Sequence, residues 1–248
     1  MKLSVGIITK NEEVNLKLSL EAIYDLADEI IIVDNGSTDD TKKIALQYKA
    51  HFYTEEWKGY GKQKNSVLDK CKGEWILLID ADEVVSPELK VKIKSILDSN
   101  DTTSVYALNR CSICFGKEIK YGGWSNEYIP RLWKNGSVRV SEDQVHETYL
   151  SDAPTKRISE KLYHYTYHTL EDYFVTFNKY TTLNAQKYFG KNKKTHFFQF
   201  TIKPIFAFFK RYILRLGFLD GTEGLLLAQL NAIYVITKYY KLKELNKK

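Results

Sequence analysis

Glu74-Trp-Ile-Leu-Leu-Ile-Asp80-Ala-Asp82 is the stretch from which the architecture of the chain follows. Its apolar run shows no alternation, so it reads as a strand buried on both faces, and it stops at two aspartates one residue apart. Ser86-Pro87-Glu88 follows as a cap, an N1 proline and an acidic first turn, opening a helix through Leu89, Ile93, Ile96 and Leu97. Upstream, Glu29-Ile-Ile-Ile-Val-Asp34 is a second apolar strand ending in an aspartate, Leu3–Thr9 a third and His51–Thr54 a short fourth. Helical spacing separates them. Val14, Leu18, Ala22, Ile23 and Leu26 follow a cap expected at Asn11, and Ile44, Ala45 and Tyr48 follow a start expected at Ser37 or Thr38. Gly59-Tyr-Gly-Lys-Gln-Lys-Asn65 leads into a helix through Val67, Leu68 and Cys71. Apolar strands alternating with helices predict an α/β fold around a mostly parallel sheet covered on both faces.

Beyond about residue 103 the pattern changes. Val105–Ile113 reads as a strand, and Asn135-Gly136 between Tyr128–Lys134 and Ser137–Val140 is a two-residue hairpin signal. From Thr169 the chain reads as helical, with an apolar and aromatic stripe through Leu170, Tyr173, Phe174, Phe177, Tyr180 and Leu183. Further helices are expected over 197–216 and 221–243. We therefore expect an α/β domain over 1–165 and a helical region over 166–248.

The net charge of +6 is unevenly spread: residues 190–248 hold 12 Lys/Arg against 3 Asp/Glu, leaving a mildly acidic body. Such asymmetry suits contact with a polyanion, a membrane surface or nucleic acid. Three cysteines, Cys71, Cys111 and Cys114, make no disulfide framework and suit a reducing compartment. They read as buried strand thiols. Met1–Ile8 runs directly into a strand rather than a secretory leader. Gly224–Thr237, an uncharged stretch of 14 residues, falls short of the roughly 20 that a spanning helix needs. A cytoplasmic protein is the expectation.

In a parallel α/β sheet, ligands bind beyond the carboxyl ends of the strands. Three polar clusters fall there: Thr9-Lys-Asn11-Glu12, Asp34-Asn-Gly-Ser-Thr-Asp39 and Asp80-Ala81-Asp82. Each alone can be a polar loop capping a helix; three at one edge are harder to explain so. Carboxylates one residue apart at a strand end can offer oxygen ligands to Mg²⁺ or Mn²⁺, which then bridges phosphate oxygens.

The order Val5-Gly-Ile-Ile-Thr-Lys-Asn-Glu12, Ile32-Val-Asp-Asn-Gly-Ser-Thr-Asp-Asp-Thr41, Lys64-Asn65 and Leu78-Ile-Asp-Ala-Asp-Glu83 resembles the family 2 glycosyltransferases of GT-A fold. Pro130-Arg-Leu-Trp-Lys-Asn-Gly136 followed by Asp143-Gln-Val-His-Glu147 resembles a bacterial subgroup that includes the lipopolysaccharide-core β-1,4-glucosyltransferases, whose C-terminal portion is helical. The resemblance implies that Thr9, Asn11 and Glu12 line the nucleotide pocket and that Asp34 bonds the base, commonly uracil. Lys64 and Asn65 would stand near the nucleotide, Asp80 and Ala81 near the ribose, and Asp82, with Asp80 beside it, at the metal. It also implies inversion in one displacement, so a carboxylate must deprotonate the acceptor hydroxyl. Glu147 is the first candidate for that base, and Asp143 the second, because Glu142-Asp143 has the wording of the family's acidic motif. His146 can touch the metal or diphosphate, or orient a neighbouring carboxylate. Arg131 can contact the donor diphosphate or a phosphorylated acceptor, or simply meet water. Trp124 offers a sugar-stacking face or a core ring.

The tail carries its own signal. Lys203, Lys210, Arg211 and Arg215 would share an arc of roughly 140° on one continuous helix rich in phenylalanine. That suits an interfacial helix on an anionic membrane, or a helix packed on its neighbour or in a homo-oligomer. The partners expected are a nucleotide-sugar donor, a glycan or glycolipid acceptor and an anionic membrane surface at the inner face of the cytoplasmic membrane. No nucleic-acid recognition motif is found. Two other classes compete. A nucleotidyltransferase would need a glycine-rich loop after the first strand, where the chain has Thr-Lys-Asn-Glu-Glu; a non-catalytic adaptor would have no need of Asp34, Asp80, Asp82 and Glu147 together.

Overall fold

The computed structural model describes residues 1–99, 103–124, 127–142 and 148–247. They form two compact units. The first comprises Met1–Arg110 and Glu127–Tyr165, the second Cys111–Asn126 and Thr166–Lys248.

In the first unit β1 (Leu3–Thr9), β2 (Glu29–Asp34), β3 (His51–Thr54) and β4 (Trp75–Asp80) are parallel, in the order β3-β2-β1-β4. The helices between them are α1 (Glu13–Ile23), α2 (Thr41–Gln47) and α3 (Tyr60–Lys70). Alternation along each strand serves two layers. Leu3, Val5, Ile7, Ile30, Ile32, Leu77 and Ile79 join a core with Leu16, Leu20 and Ile23 of α1, and with Leu89 and Ile93 of α4 (Pro87–Leu97). Ile31, Val33, Ile76 and Leu78 face the other way, against Val67 and Leu68 of α3. Burial on both faces is why these strands carry no polar alternation. As the sequence implies, Ser86 caps α4, accepting from the Leu89 N–H at 3.1 Å with Pro87 at N1.

The rest of the sheet is antiparallel. Past the short β5 (Glu83–Val85) come β6 (Val105–Cys114), β7 (Lys117–Glu118), β8 (Glu127–Lys134), β9 (Arg139–Val140), β10 (Tyr149–Leu150) and β11 (Thr155–Tyr167). The order continues from β4 as β8-β6-β11-β5. The turn at Asn135-Gly136 forms, with Gly136 at φ 83°, but it does not join a hairpin: β8 pairs with β4 and β6, while β9 pairs with β10. Asn135 explains the difference. Its N–H donates to Glu74 O, and its side-chain amide to Cys71 O and Gly73 O, so the turn is tied to the loop before β4. Two caps also move. Asn11 takes φ 54° and α1 is capped one residue later, at Glu12; α2 begins at Thr41, whose N–H and hydroxyl donate to Asp39.

The second unit holds α5 (Leu170–Phe189), α6 (Ile202–Phe209) and α7 (Gly221–Leu245). Thr169 and Asp172 close a capping box on α5. Residues 111–124, expected with the α/β domain, pack here: Cys114, Ile119 and Leu227 form a core with Phe115, Trp124 and Tyr167. The single helix expected over 197–216 is instead a 3-10 turn, α6, a π-turn at Lys210–Leu214 and a left-handed Leu216 at φ 57°. Gly217 makes the break feasible, since a Cβ there would lie 2.7 Å from Arg211 O. The cationic arc is lost with it. Lys203 donates to Tyr239 Oη at 2.9 Å, Arg211 stacks on Trp124 and donates to Gly122 O, and Arg215 packs on Gly123. No helix among the described residues is long and apolar enough to cross a membrane.

Candidate functional site

Strand register brings the expected clusters to one edge. Thr9 ends β1 opposite Asp34 at the end of β2, Asp34 lies opposite Thr54 of β3, and Ile8 lies opposite Asp80 at the end of β4. Asp34 and Asp80 are therefore two strand spacings apart, about 10 Å.

The β1–α1 and β2–α2 loops are laced together. The buried Asp34 carboxylate accepts from Thr9 Oγ1 at 2.8 Å, Ser37 N at 2.7 Å and Ser37 Oγ at 2.5 Å. The Asn11 N–H donates to Ser37 Oγ, and the Asn11 amide oxygen accepts from Thr38 N. The Glu12 N–H donates to Thr41 Oγ1, and Lys10 Nζ reaches Asn35 O and Gly36 O. Left-handed Asn11 is what folds the first loop onto the second.

Beyond β4 the chain turns through Asp80-Ala81-Asp82 into β5. Glu83, fully buried, closes the turn by accepting from the Asp80 N–H at 3.0 Å, and Tyr165 of β11 donates its N–H to Asp82 O. Charges then converge on Asp80. Lys64, 2% exposed, stands 3.0 Å from Oδ1; Arg131, 1% exposed, donates through Nη2 to Oδ2 at 2.5 Å and to Glu83 at 2.7 Å. Arg131 Nη1 donates to the Tyr149 hydroxyl, and Arg110 lies 3.6 Å from Glu83. Burial alone would raise the Asp80 carboxyl, but Arg131 and Lys64 outweigh it and hold the group well below the usual carboxylate range. Arg131 is thus no solvated hairpin arginine. It is the centre of a buried ion network.

Asp82 has a different neighbour. Its Oδ2 lies 3.0 Å from His164 Nε2. Burial lowers the imidazole pKa, and the hydrogen bond and charge of Asp82 more than reverse that, so His164 titrates above its ordinary value. Neighbouring corners of an octahedron with bonds of ~2.1 Å are also about 3.0 Å apart, so one oxygen and one imidazole nitrogen stand at ligand spacing. Both oxygens of Asp80 face cations, so among the described residues Asp82 and His164 are the side chains that could contribute to holding a divalent ion. Among the described residues no three His, Cys, Asp or Glu side chains form a complete cation site; phosphate oxygens and water would supply the remaining positions.

Glu12 faces this acidic edge. Burial, then the Asp82, Asp39 and Asp80 carboxylates, push its carboxyl up to about 7 against a hydrogen bond from Asn15. A carboxyl raised in the folded state binds a proton that the unfolded chain has already lost. Glu12 therefore favours the fold most below its unfolded pKa near ~4.3, and that preference fades as pH rises through about 7. His164 acts with the same sign, fading as pH rises through its own raised value. We expect wild-type melting temperature to fall between pH 5 and 8 at low salt, and Glu12→Gln to flatten part of the slope, by no more than ~3 kcal/mol. Parallel pH–melting curves for the two proteins would discard this account.

Of the other expected residues, Asn65 serves the scaffold: its amide donates to Val140 O at 2.8 Å and accepts from Val140 N at 3.0 Å, acting as a strand partner for β9. One turn earlier, a Cβ on Gly61 would stand 1.9 Å from Ser141 O, so only glycine admits this approach. Trp124 is half-buried in the second unit beneath Arg211. Asp143, His146 and Glu147 lie outside the described residues. Residue-by-residue reading did not single out Glu83, Tyr149, Arg110 or His164. Glu83 had a cue in adjoining Asp80-Ala-Asp82; His164 had none, because it meets Asp82 only through the antiparallel pairing of β11 with β5.

Carboxylates gathered past the ends of parallel strands, over a sheet with an antiparallel flank, give the GT-A-like arrangement expected from the sequence. The model of glycosyl transferase family 2 matches residues 4–215, and the chain belongs to that family. It is 28% identical to an uncharacterized glycosyltransferase of Rickettsia felis, over 98% of this chain and 90% of that protein. It is also 28% identical to the lipopolysaccharide core biosynthesis glycosyltransferase LpsC of Rhizobium meliloti, over 94% of this chain and 89% of LpsC. Among solved structures, residues 1–349 of S. aureus TarS in complex with UDP share the fold, with a TM-score of 0.50 and 16% identity over 100% of this chain and 91% of that one.

Proposed function

We propose that this chain is a metal-dependent, inverting hexosyltransferase that uses a UDP-sugar. Its acceptor is a hydroxyl of a lipopolysaccharide-core or other cell-envelope glycan at the inner face of the cytoplasmic membrane. The observation that carries the reading is the shared strand edge of Asp34, Asp80 and Asp82, with His164 at ligand spacing from Asp82. The likeness to LpsC supports the acceptor class, and the UDP complex of TarS suggests the nucleotide.

Asp34, fixed by Thr9 and Ser37, presents an acceptor oxygen for a base N–H. Asp80, kept ionised by Lys64 and Arg131, offers oxygens to ribose hydroxyls. Asp82 and His164 would hold Mg²⁺ or Mn²⁺, the imidazole favouring Mn²⁺. Such an ion acts as a Lewis acid that offsets the charge growing on the departing diphosphate. The base remains Glu147 or Asp143. A carboxylate there takes the acceptor proton as the new bond forms on the face opposite the leaving group.

Turnover of a panel of UDP- and GDP-sugars, with and without EDTA, tests the reading. Metal-dependent consumption of a UDP-sugar is expected, and Glu147→Gln should retain UDP binding while losing transfer. Normal transfer in Glu147→Gln would move the base to Asp143. Consumption of no nucleotide sugar, or turnover indifferent to EDTA, would reject the proposal.

A further inference from the structure

The second unit exposes an apolar surface unlike anything on the first. Phe197, at 81% exposure, precedes α6, and Ile202, Ile205, Phe206 and Phe209 follow at helical spacing, Ile205 at 70% exposure; Ile213 of the π-turn extends the stripe. Of the eight residues of α6 only Pro204 is buried. A helix of this length spans about 12 Å, far less than a bilayer core. A contiguous patch of this kind marks a surface made to meet something.

Charge decides what. Between Asp172 and Asp220 the chain contains no Asp or Glu, but nine Lys or Arg. Lys203, Arg211 and Arg215 are engaged within the unit. Lys191, Lys193, Lys194 and Lys210 are exposed, Lys193 over the Tyr188 ring; in sequence Lys194 stands three residues before Phe197 and Lys210 directly after Phe209. In a two-fold dimer the same patch would face itself, setting lysine against lysine with no carboxylate between. An anionic headgroup layer complements the lysines, and the acyl boundary beneath it takes the phenylalanine and isoleucine side chains.

We propose that the apolar face of residues 197–219 seats in the interfacial layer of an anionic phospholipid bilayer, as a monotopic anchor. The inference deepens the membrane half of the function proposed above and rests on it. It replaces the continuous cationic helix expected from the sequence with a short apolar stripe whose flanking sequence carries exposed lysines.

The test is flotation of the full chain with vesicles of phosphatidylcholine alone or mixed with phosphatidylglycerol, with donor turnover measured in parallel. Wild type should float with the anionic vesicles at least about tenfold better than with neutral ones, and less well as salt rises. Ile205→Glu/Phe206→Glu should lose that binding about tenfold. Because both residues are exposed, its melting temperature and turnover of a soluble donor should not change. Lys194→Glu/Lys210→Glu should weaken binding to anionic vesicles only. Wild type that stays with the unbound fraction would overturn the proposal, as would an Ile205→Glu/Phe206→Glu protein that floats like wild type. A lipid-free dimer that this variant returns to monomer would overturn it in favour of a second copy. Vesicle binding without turnover of any donor would sustain the anchor and reject the enzyme reading.

Discussion

Asp82→Ala should cut sugar transfer by on the order of 10³-fold or more while leaving the fold standing. The size follows from the several kcal/mol that a divalent ion contributes to neutralising a departing diphosphate, at ~1.4 kcal/mol per factor of ten. The survival of the fold follows from the position. The Asp82 side chain is 31% exposed and hydrogen-bonds His164, an imidazole that can release its proton when the carboxylate is gone, so its removal strands no permanent charge. His164→Ala should lose activity in the same direction but keep a residual metal response, because the carboxylate remains. Both variants should melt within a few degrees of wild type. Transfer by Asp82→Ala within threefold of wild type, at saturating donor and fixed Mn²⁺, would remove the ion from this position.

Arg131→Met is expected to do the opposite, damaging the fold first. It would leave Glu83, with no exposed surface, and the ionised Asp80 without their principal cation. Stranding one side of a buried ion pair costs about 3–5 kcal/mol, and for a chain of this size each kcal/mol moves the midpoint by roughly 2–4 °C. Melting by calorimetry should therefore drop by about 6–20 °C. Arg131→Lys should recover only part of this, since one ammonium cannot serve Tyr149, Asp80 and Glu83 as the guanidinium fork does. Glu83→Gln added to Arg131→Met should restore some stability by removing the stranded charge. A midpoint within about 3 °C of wild type in Arg131→Met would mean that the network contributes little.

These two residues also mark what could be read from the chain. Asp82 is legible because its environment is local: an apolar strand, a turn and a capped helix surround it in sequence. The parallel half of the sheet is legible for the same reason, as two-sided burial is written into β2 and β4 as unbroken apolar runs. Arg131 reads as a hairpin arginine because Asn135-Gly136 is a genuine turn, but the turn's partners are set by Asn135 bonding to Cys71 and Gly73, which no local pattern records. His164 sits in a strand of alternating aromatic and polar residues, and its meaning depends on a strand eighty residues away. The tail fails differently. Its helical periodicity is real, but the chain turns at Leu216-Gly217, where Gly217 closes on Arg211 O, and Lys203 and Arg211 are engaged by Tyr239, Trp124 and Gly122, contacts that no local pattern records.

Lys64 and Asn65 are consecutive residues with unrelated duties. The ammonium of one grips the carboxylate beneath the expected ribose, and the amide of the other stands in for a neighbouring strand at Val140, three residues before Asp143. Since a helix moves as a stiff rod, a displacement of α3 would shift Lys64 against Asp80 at the end of one strand and Asn65 against Val140 of another in a single motion.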